Sequence, residues 1–236
     1  MSGGEAHQGS AVSVAASLAE FTEKLVARRG VEQSNVLFGG QIGPATKALT
    51  IRANAISVGD KAPDFSLPMT QGGTWSLGEH LAQNKYSSLV LVFYRGTWCG
   101  YCNIYLRGLL ETQSLLSDAN AALIAVSPEV APGSSGDASG AASTFPVLID
   151  QDGELAEQFG LSFEMDDAAK AVLTGSGIDL AKRNANGRWT LPVPGTFVID
   201  GSGHIAYSHV DADYRSRPEP MEIVAICQAR RLAESA

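Results

Sequence analysis

One stretch constrains this chain more than any other. An apolar run, Leu89 to Tyr94, is followed by a short turn, by Cys99 and Cys102 with two residues between them, and then by a helical pattern. The run has polar residues on neither side, so it reads as a strand buried on both faces, as in the middle of a parallel sheet. Arg95 to Trp98 leave the strand end, and Cys99 falls near the first turn of the helix. Unpaired backbone N–H groups and the positive end of the helix dipole favour a thiolate there. Cys102, Leu106, Leu109 and Leu116 follow at helical steps and share an inward stripe. The pattern therefore predicts an exposed, low-pKa thiol at Cys99 and a sheltered one at Cys102, close enough to form a small disulfide ring.

Other uses of a Cys-x-x-Cys pair fit less well. Structural zinc needs about four ligands, and the chain offers one further cysteine, Cys227, and four scattered histidines. Haem attachment needs His directly after the second cysteine, where Asn103 stands. No metal or cofactor is expected. Arg95, adjacent to the turn, is the candidate cation for a thiolate.

Trp98-Cys99-Gly100-Tyr101-Cys102 after a buried strand resembles a thioredoxin-fold active site. The longer string from Phe93 to Arg107 resembles the peroxiredoxin-like branch of the alkyl hydroperoxide reductase/thiol-specific antioxidant family. Two other stretches agree with that family in order. Val58 to Leu67, with Pro63 and Phe65, is similar to its domain start, and Leu191 to Asp200, with Pro194 and Thr196, to its later core strand. The resemblance implies a thioredoxin-like α/β fold, a mixed central sheet flanked by helices. It also implies that Pro194, with Thr196, faces the cysteines across a cis peptide bond. Trp98, Arg95, Pro194 and Thr196 are thus expected to support the catalytic pair Cys99 and Cys102.

Composition limits the remaining choices. The net charge of −8 argues against a nucleic-acid partner. No apolar segment approaches the roughly 20 residues of a membrane span, and the first residues lack the regions of a signal peptide. Three cysteines in 236 residues are not a disulfide scaffold. A reducing cytoplasm is the expected compartment, where such a pair is catalytic.

Residues 1–56 are read as a disordered start, over 1–10, and a helical extension. Val14, Leu18, Phe21 and Leu25 form an apolar stripe, and Gly30 is the expected C-cap. Gly39-Gly40 and Gly43-Pro44 break any longer helix. This extension either covers one side of the domain or serves as a homodimer or partner contact. Residues 57–236 form the redoxin-like domain. It contains an edge hairpin at Phe65 to Leu77, a second buried strand at Ala121 to Ser127 and a low-complexity loop at 132–140. An insertion at about 161–192 and a closing helix from Glu219 to Leu232 complete it. Cys227, on an apolar face of that helix, reads as a small core residue.

The favoured function is thiol-dependent reduction of hydrogen peroxide or organic hydroperoxides, recycled by a thioredoxin-type protein reductant. Two assignments of the attacking thiol stand side by side. Helix position favours Cys99, with Cys102 as resolver. The family motif Pro-x-x-x-Thr-x-x-Cys instead superposes its cysteine on Cys102, placing Cys99 at the Thr position and Arg95 at the Pro position. The alternatives to a peroxidase are a thiol–disulfide oxidoreductase acting on proteins and a non-enzymatic redox-responsive binding module.

Overall fold

Every residue of Ser88–Phe93 is buried, because this strand occupies the middle of the sheet and both its faces are covered. The computed structural model describes residues 13–39, 51, 53–83, 85–130 and 145–234. In chain order the elements are Val14–Arg29 (α1), Val31–Gly39 (α2), Ser66–Pro68 (β1), Thr74–Ser76 (β2), Leu77–Ala82 (α3), Ser88–Phe93 (β3), Gly100–Glu111 (α4), Gln113–Asp118 (α5), Ala121–Ser127 (β4) and Val147–Ile149 (β5). They continue with Glu154–Gln158 (α6), Ser162–Glu164 (β6), Asp167–Gly175 (α7), Leu180–Arg183 (α8), Thr190–Pro192 (β7), Gly195–Asp200 (β8), Ile205–Val210 (β9) and Pro220–Glu234 (α9). The expected disorder of residues 1–10, the break at Gly40, Gly43 and Pro44, and the loop at 132–140 lie outside the described residues.

Among the described residues the central sheet runs β5-β4-β3-β8-β9. β3 pairs β4 in parallel, from Ser88 with Ala121 to Phe93 with Val126, and pairs β8 antiparallel, from Ser88 with Asp200 to Phe93 with Gly195. The parallel pair requires a crossover, which α4 and α5 supply. Period-two alternation then divides the core. Val90, Val92 and Val198 face α4 and α9, packing with Tyr105, Leu109, Ile223 and Cys227. Leu89, Leu91, Phe93 and Phe197 face the other layer with Leu155, Phe159 and Leu161. This is the mixed α/β architecture that the resemblance implies. No helix among the described residues is long and apolar enough to cross a membrane.

The helix after the cysteines differs in detail from its expected stripe. Tyr105 is fully buried one turn beyond Cys102, whereas Leu106 is half-buried at the edge. The helix also breaks at Thr112, whose hydroxyl donates to the Leu109 carbonyl at 3.0 Å, so Leu116 belongs to α5. Such side-chain bonding competes with the helical ladder.

α1 lies along α4. A Cβ built on Gly100 would stand 2.3 Å from Cζ of Phe21, and one on Gly108 would stand 2.5 Å from Cγ2 of Val14. Glycine inside a helix costs about 1 kcal/mol relative to alanine; here it admits a neighbouring helix at close range. The start of α1 is tied down as well. The Ser13 hydroxyl and the N–H groups of Val14 and Ala15 donate to the Glu219 carboxylate at 2.6, 3.1 and 2.9 Å. α2 packs between α1 and α7.

Candidate active site

β3 ends at Phe93, and the chain turns through Arg95, Gly96, Thr97 and Trp98 before α4 begins. Cys99 is the N-cap of α4, with extended backbone, and its sulfur accepts from the Cys102 N–H at 3.3 Å. A cysteine thus takes the position that Ser, Thr or Asp usually fills. The turn is held from both sides of one residue. The Thr97 N–H donates to Glu129 Oε2 at 2.5 Å, and the Asn103 side-chain amide donates to the Thr97 carbonyl at 2.7 Å. Glu129, only 4 % exposed, also pairs with Arg183 of α8 at 3.1 Å.

Arg95 is 3 % exposed, and its Nη2 donates to the Cys99 sulfur at 3.2 Å. The guanidinium is sandwiched between rings, 3.8 Å from the Tyr214 centroid and 5.1 Å from that of Trp98. Burying a lone cation is costly unless a negative charge meets it. One such partner is the Cys99 sulfur.

The two thiols ionise differently. Burial alone would push the Cys99 thiol up. Donation from the Cys102 thiol, the charge and hydrogen bond of Arg95, and the Cys102 N–H together bring it down to about 5. For Cys102, burial, its donation to Cys99 and the negative charge there all act upward, and the thiol lies well above its ordinary value. The site therefore holds one thiolate and one thiol at neutral pH. Cys227, buried in α9, is pushed up to about 12 by burial.

The predicted exposure of Cys99 is corrected by the structure: Cys99 is 2 % and Cys102 1 % exposed. The physical reason is a lid from distant parts of the chain. Phe21 meets Tyr101 edge-on at 4.9 Å, Tyr101 meets Tyr214 edge-on at 5.4 Å, and Phe38 packs against both tyrosines. The Thr22 and Tyr101 hydroxyls share a hydrogen bond of 2.9 Å.

A second correction concerns Pro194. The Val193–Pro194 bond is trans, and no described peptide bond is cis. The chain runs extended from β7 into β8, with the Val193 N–H donating to the Leu161 carbonyl at 2.8 Å. A proline at a strand start fits there in the favoured trans form. Arg95, Trp98, Cys99 and Cys102 thus come together. Thr196 acts from behind, its hydroxyl 3.0 Å from the Tyr105 hydroxyl one helical turn beyond Cys102. Pro194 stands one residue before Gly195, the partner of Phe93 in the sheet.

Sequence reasoning missed Glu129, Tyr214, Phe38 and the contact role of Phe21. Glu129 had a signal, since it follows a buried parallel strand at its carboxyl end, where sites of α/β sheets gather. Tyr214 had none. It lies in an irregular segment after β9, and only the fold brings it to Arg95.

Comparison with known proteins agrees with this fold. The AhpC/TSA family model matches residues 58–208. A search of curated proteins finds no match. Among solved structures, the chain is similar to peroxidoxin BcpB from Mycobacterium tuberculosis at 20% identity and TM-score 0.54, covering 74% of this chain and 97% of that one. It is similar to a reduced 2-Cys peroxiredoxin from Plasmodium vivax at 14% identity and TM-score 0.56, covering 75% and 83%. Peroxiredoxin Q from Xanthomonas campestris matches at 15% identity and TM-score 0.52, covering 74% and 99%. These likenesses show the fold, which is thioredoxin-like.

Proposed function

Because the chain belongs to the AhpC/TSA family, we propose that it is a thiol peroxidase in which Cys99 attacks the peroxide and Cys102 resolves the product. The observation that carries this reading is the 3.2 Å contact of Arg95 with Cys99 at the helix N-cap. A thiolate, not a thiol, is the nucleophile.

The chemistry balances as follows. The Cys99 thiolate attacks the terminal oxygen of ROOH, the O–O bond breaks, and sulfur is oxidised to sulfenic acid. The alkoxide leaves and takes a proton from solvent as ROH. Arg95 lies where the charge in motion can be stabilised. The Cys102 thiol then condenses with the sulfenic acid, forming the disulfide and releasing water. Before oxidation the negative charge of Cys99 holds the Cys102 thiol up. A neutral sulfenic acid removes that effect, while Arg95 and Arg217 still favour the Cys102 thiolate. Burial still holds the Cys102 thiol up, but the part of the shift that Cys99 imposed is gone once the first thiol has reacted. A dithiol protein of the thioredoxin type, in a reducing compartment, supplies two electrons by disulfide exchange.

The test is stopped-flow oxidation of the reduced protein by hydrogen peroxide, with mass spectrometry of Cys99, Cys102 and Cys227. Rapid formation of a Cys99–Cys102 disulfide is expected, with a trapped sulfenic acid at Cys99 in Cys102→Ser. Oxidation no faster than that of a free thiol would overturn the peroxidase reading. A sulfenic acid at Cys102 in Cys99→Ser, formed at the parent rate, would reverse the roles.

A further inference from the structure

We infer that α1, through Phe21, is a size filter over the cysteine pair: hydrogen peroxide and other small hydroperoxides react with α1 docked, whereas bulky hydroperoxides need it displaced. The inference rests on the peroxidase reading and adds the substrate class.

Three independent features place the filter. Phe21 sits directly over Gly100, the residue after Cys99. The space a Cβ would take at Gly100 is filled by the Phe21 ring, with Cζ at 2.3 Å and both Cε atoms at 2.9 Å. The ring is also locked sideways, edge-on to Tyr101 at 4.9 Å, next to the Thr22–Tyr101 hydrogen bond. Finally, the lid is anchored far from the cysteines. Glu219, at the start of α9, accepts three bonds from Ser13, Val14 and Ala15 at the first turn of α1. This cap joins residues about 200 positions apart, so it holds α1 on the domain as well as stabilising the helix.

The chemistry of the cover is selective. Trp98 and Tyr214 sandwich the buried Arg95, Tyr101 meets Tyr214, and Phe21 packs on Tyr101 and over Gly100, so a continuous ring surface adjoins the start of the helix that Cys99 caps. A two-oxygen molecule that hydrogen-bonds on all sides needs little room to reach the sulfur. An aromatic or long-chain hydroperoxide needs a volume that Phe21 already occupies. Close-packed interiors leave few voids larger than a water molecule, so the larger substrate must wait for α1 to lift.

The experiment compares hydrogen peroxide with cumene hydroperoxide in stopped-flow oxidation of the full reduced chain. In the parent protein, hydrogen peroxide is expected to react at least ~30-fold faster than cumene hydroperoxide. Phe21→Ala is expected to shrink the ratio of the hydrogen peroxide rate to the cumene hydroperoxide rate at least ~10-fold. Glu219→Ala, which frees the far end of α1 without touching the cover, should move the ratio in the same direction. Equal rates for the two peroxides in the parent, or a ratio unmoved by both variants, overturns the filter. A second readout does not depend on peroxidase activity. Reduced protein is alkylated at Cys99 by iodoacetamide and by a polyethylene glycol maleimide, followed by mass spectrometry. Discrimination against the large reagent in the parent, lost in Phe21→Ala, supports the filter. Equal labelling overturns it. If hydrogen peroxide proves no faster than with a free thiol, the peroxidase reading falls, and the alkylation ratio alone decides the filter.

Discussion

The guanidinium of Arg95 and the sulfur of Cys99 meet at 3.2 Å in a place where neither touches bulk water. Each makes the other tolerable: the cation needs a negative partner when buried, and the thiolate needs a donor. Charge-assisted bonds of this kind are the strong ones. Removing the guanidinium takes a charged donor from the buried thiolate.

Arg95→Met should therefore abolish the low pKa of Cys99. With its thiol at or above the ordinary value of about 8.5, only a few per cent is thiolate at pH 7, so oxidation by hydrogen peroxide should slow at least ~30-fold. Thiolate absorbance near the ultraviolet edge, followed against pH, reads the ionisation directly. A titration unchanged from the parent would show that the Cys102 thiol and the helix terminus hold the thiolate without Arg95.

Stability should carry the same signature. The folded pKa of Cys99 is depressed, to about 5, below the unfolded value of about 8.5. Its contribution is fully present above the unfolded value and is lost as pH falls toward the folded one. Between pH 5 and 8.5 the unfolded chain binds more protons, so reduced protein gains stability with rising pH, at a slope of at most about 1.4 kcal/mol per pH unit. Urea midpoints of the parent minus those of Cys99→Ser isolate this effect. The subtraction also removes His80 and His209, whose pKa values burial lowers. A difference that stays flat across the window would contradict a buried thiolate.

Glu129 positions the turn that carries Arg95 and Cys99. Glu129→Ala should free the Thr97 N–H and slow oxidation roughly 10-fold, with an upward shift of the Cys99 pKa, in line with the cost of loosened positioning. Glu129→Gln keeps an acceptor for Thr97 but loses the charge facing Arg183, and should recover most of the rate. If both variants titrate like the parent, Glu129 serves packing only.

Gly160 packs against the end of the extension, at Asn54 and Ala55. Its φ is +71°, and a Cβ there would stand 2.2 Å from the Asn54 carbonyl oxygen. Gly160→Ala should cost roughly 2–4 kcal/mol, from left-handed backbone strain and the clash together. Denaturant unfolding measures it, and a loss below ~1 kcal/mol would mean that the 54–55 backbone gives way easily.

Much of the fold was legible in local patterns. The apolar run from Leu89 to Tyr94 could only be a strand covered on both faces, and the spacing of Val14, Leu18 and Leu25 could only serve a helix with one buried face. Gly30 closes α1 with positive φ, as its lack of a Cβ allows. Leu106 was the harder case. It shares the step of four from Cys102, yet Tyr105 takes the inward place, because the stripe is wider than a single ladder and the sheet decides which edge it meets.

The sequence by itself determined a strand, a turn and a helix that bring two cysteines to one place, since all of that depends on neighbours within about one turn. Only the tertiary structure decided how those cysteines behave. Arg95 points at Cys99 because Tyr214, more than a hundred residues on, and Trp98 confine its plane. The turn holds its shape through Glu129, and Phe21 and Phe38 pack on Tyr101 beside the buried pair. Pro194 is trans because of how β7 continues into β8. Ionisation and access depend on distances between groups far apart in the chain, and periodicity gives a residue its face without naming what lies opposite.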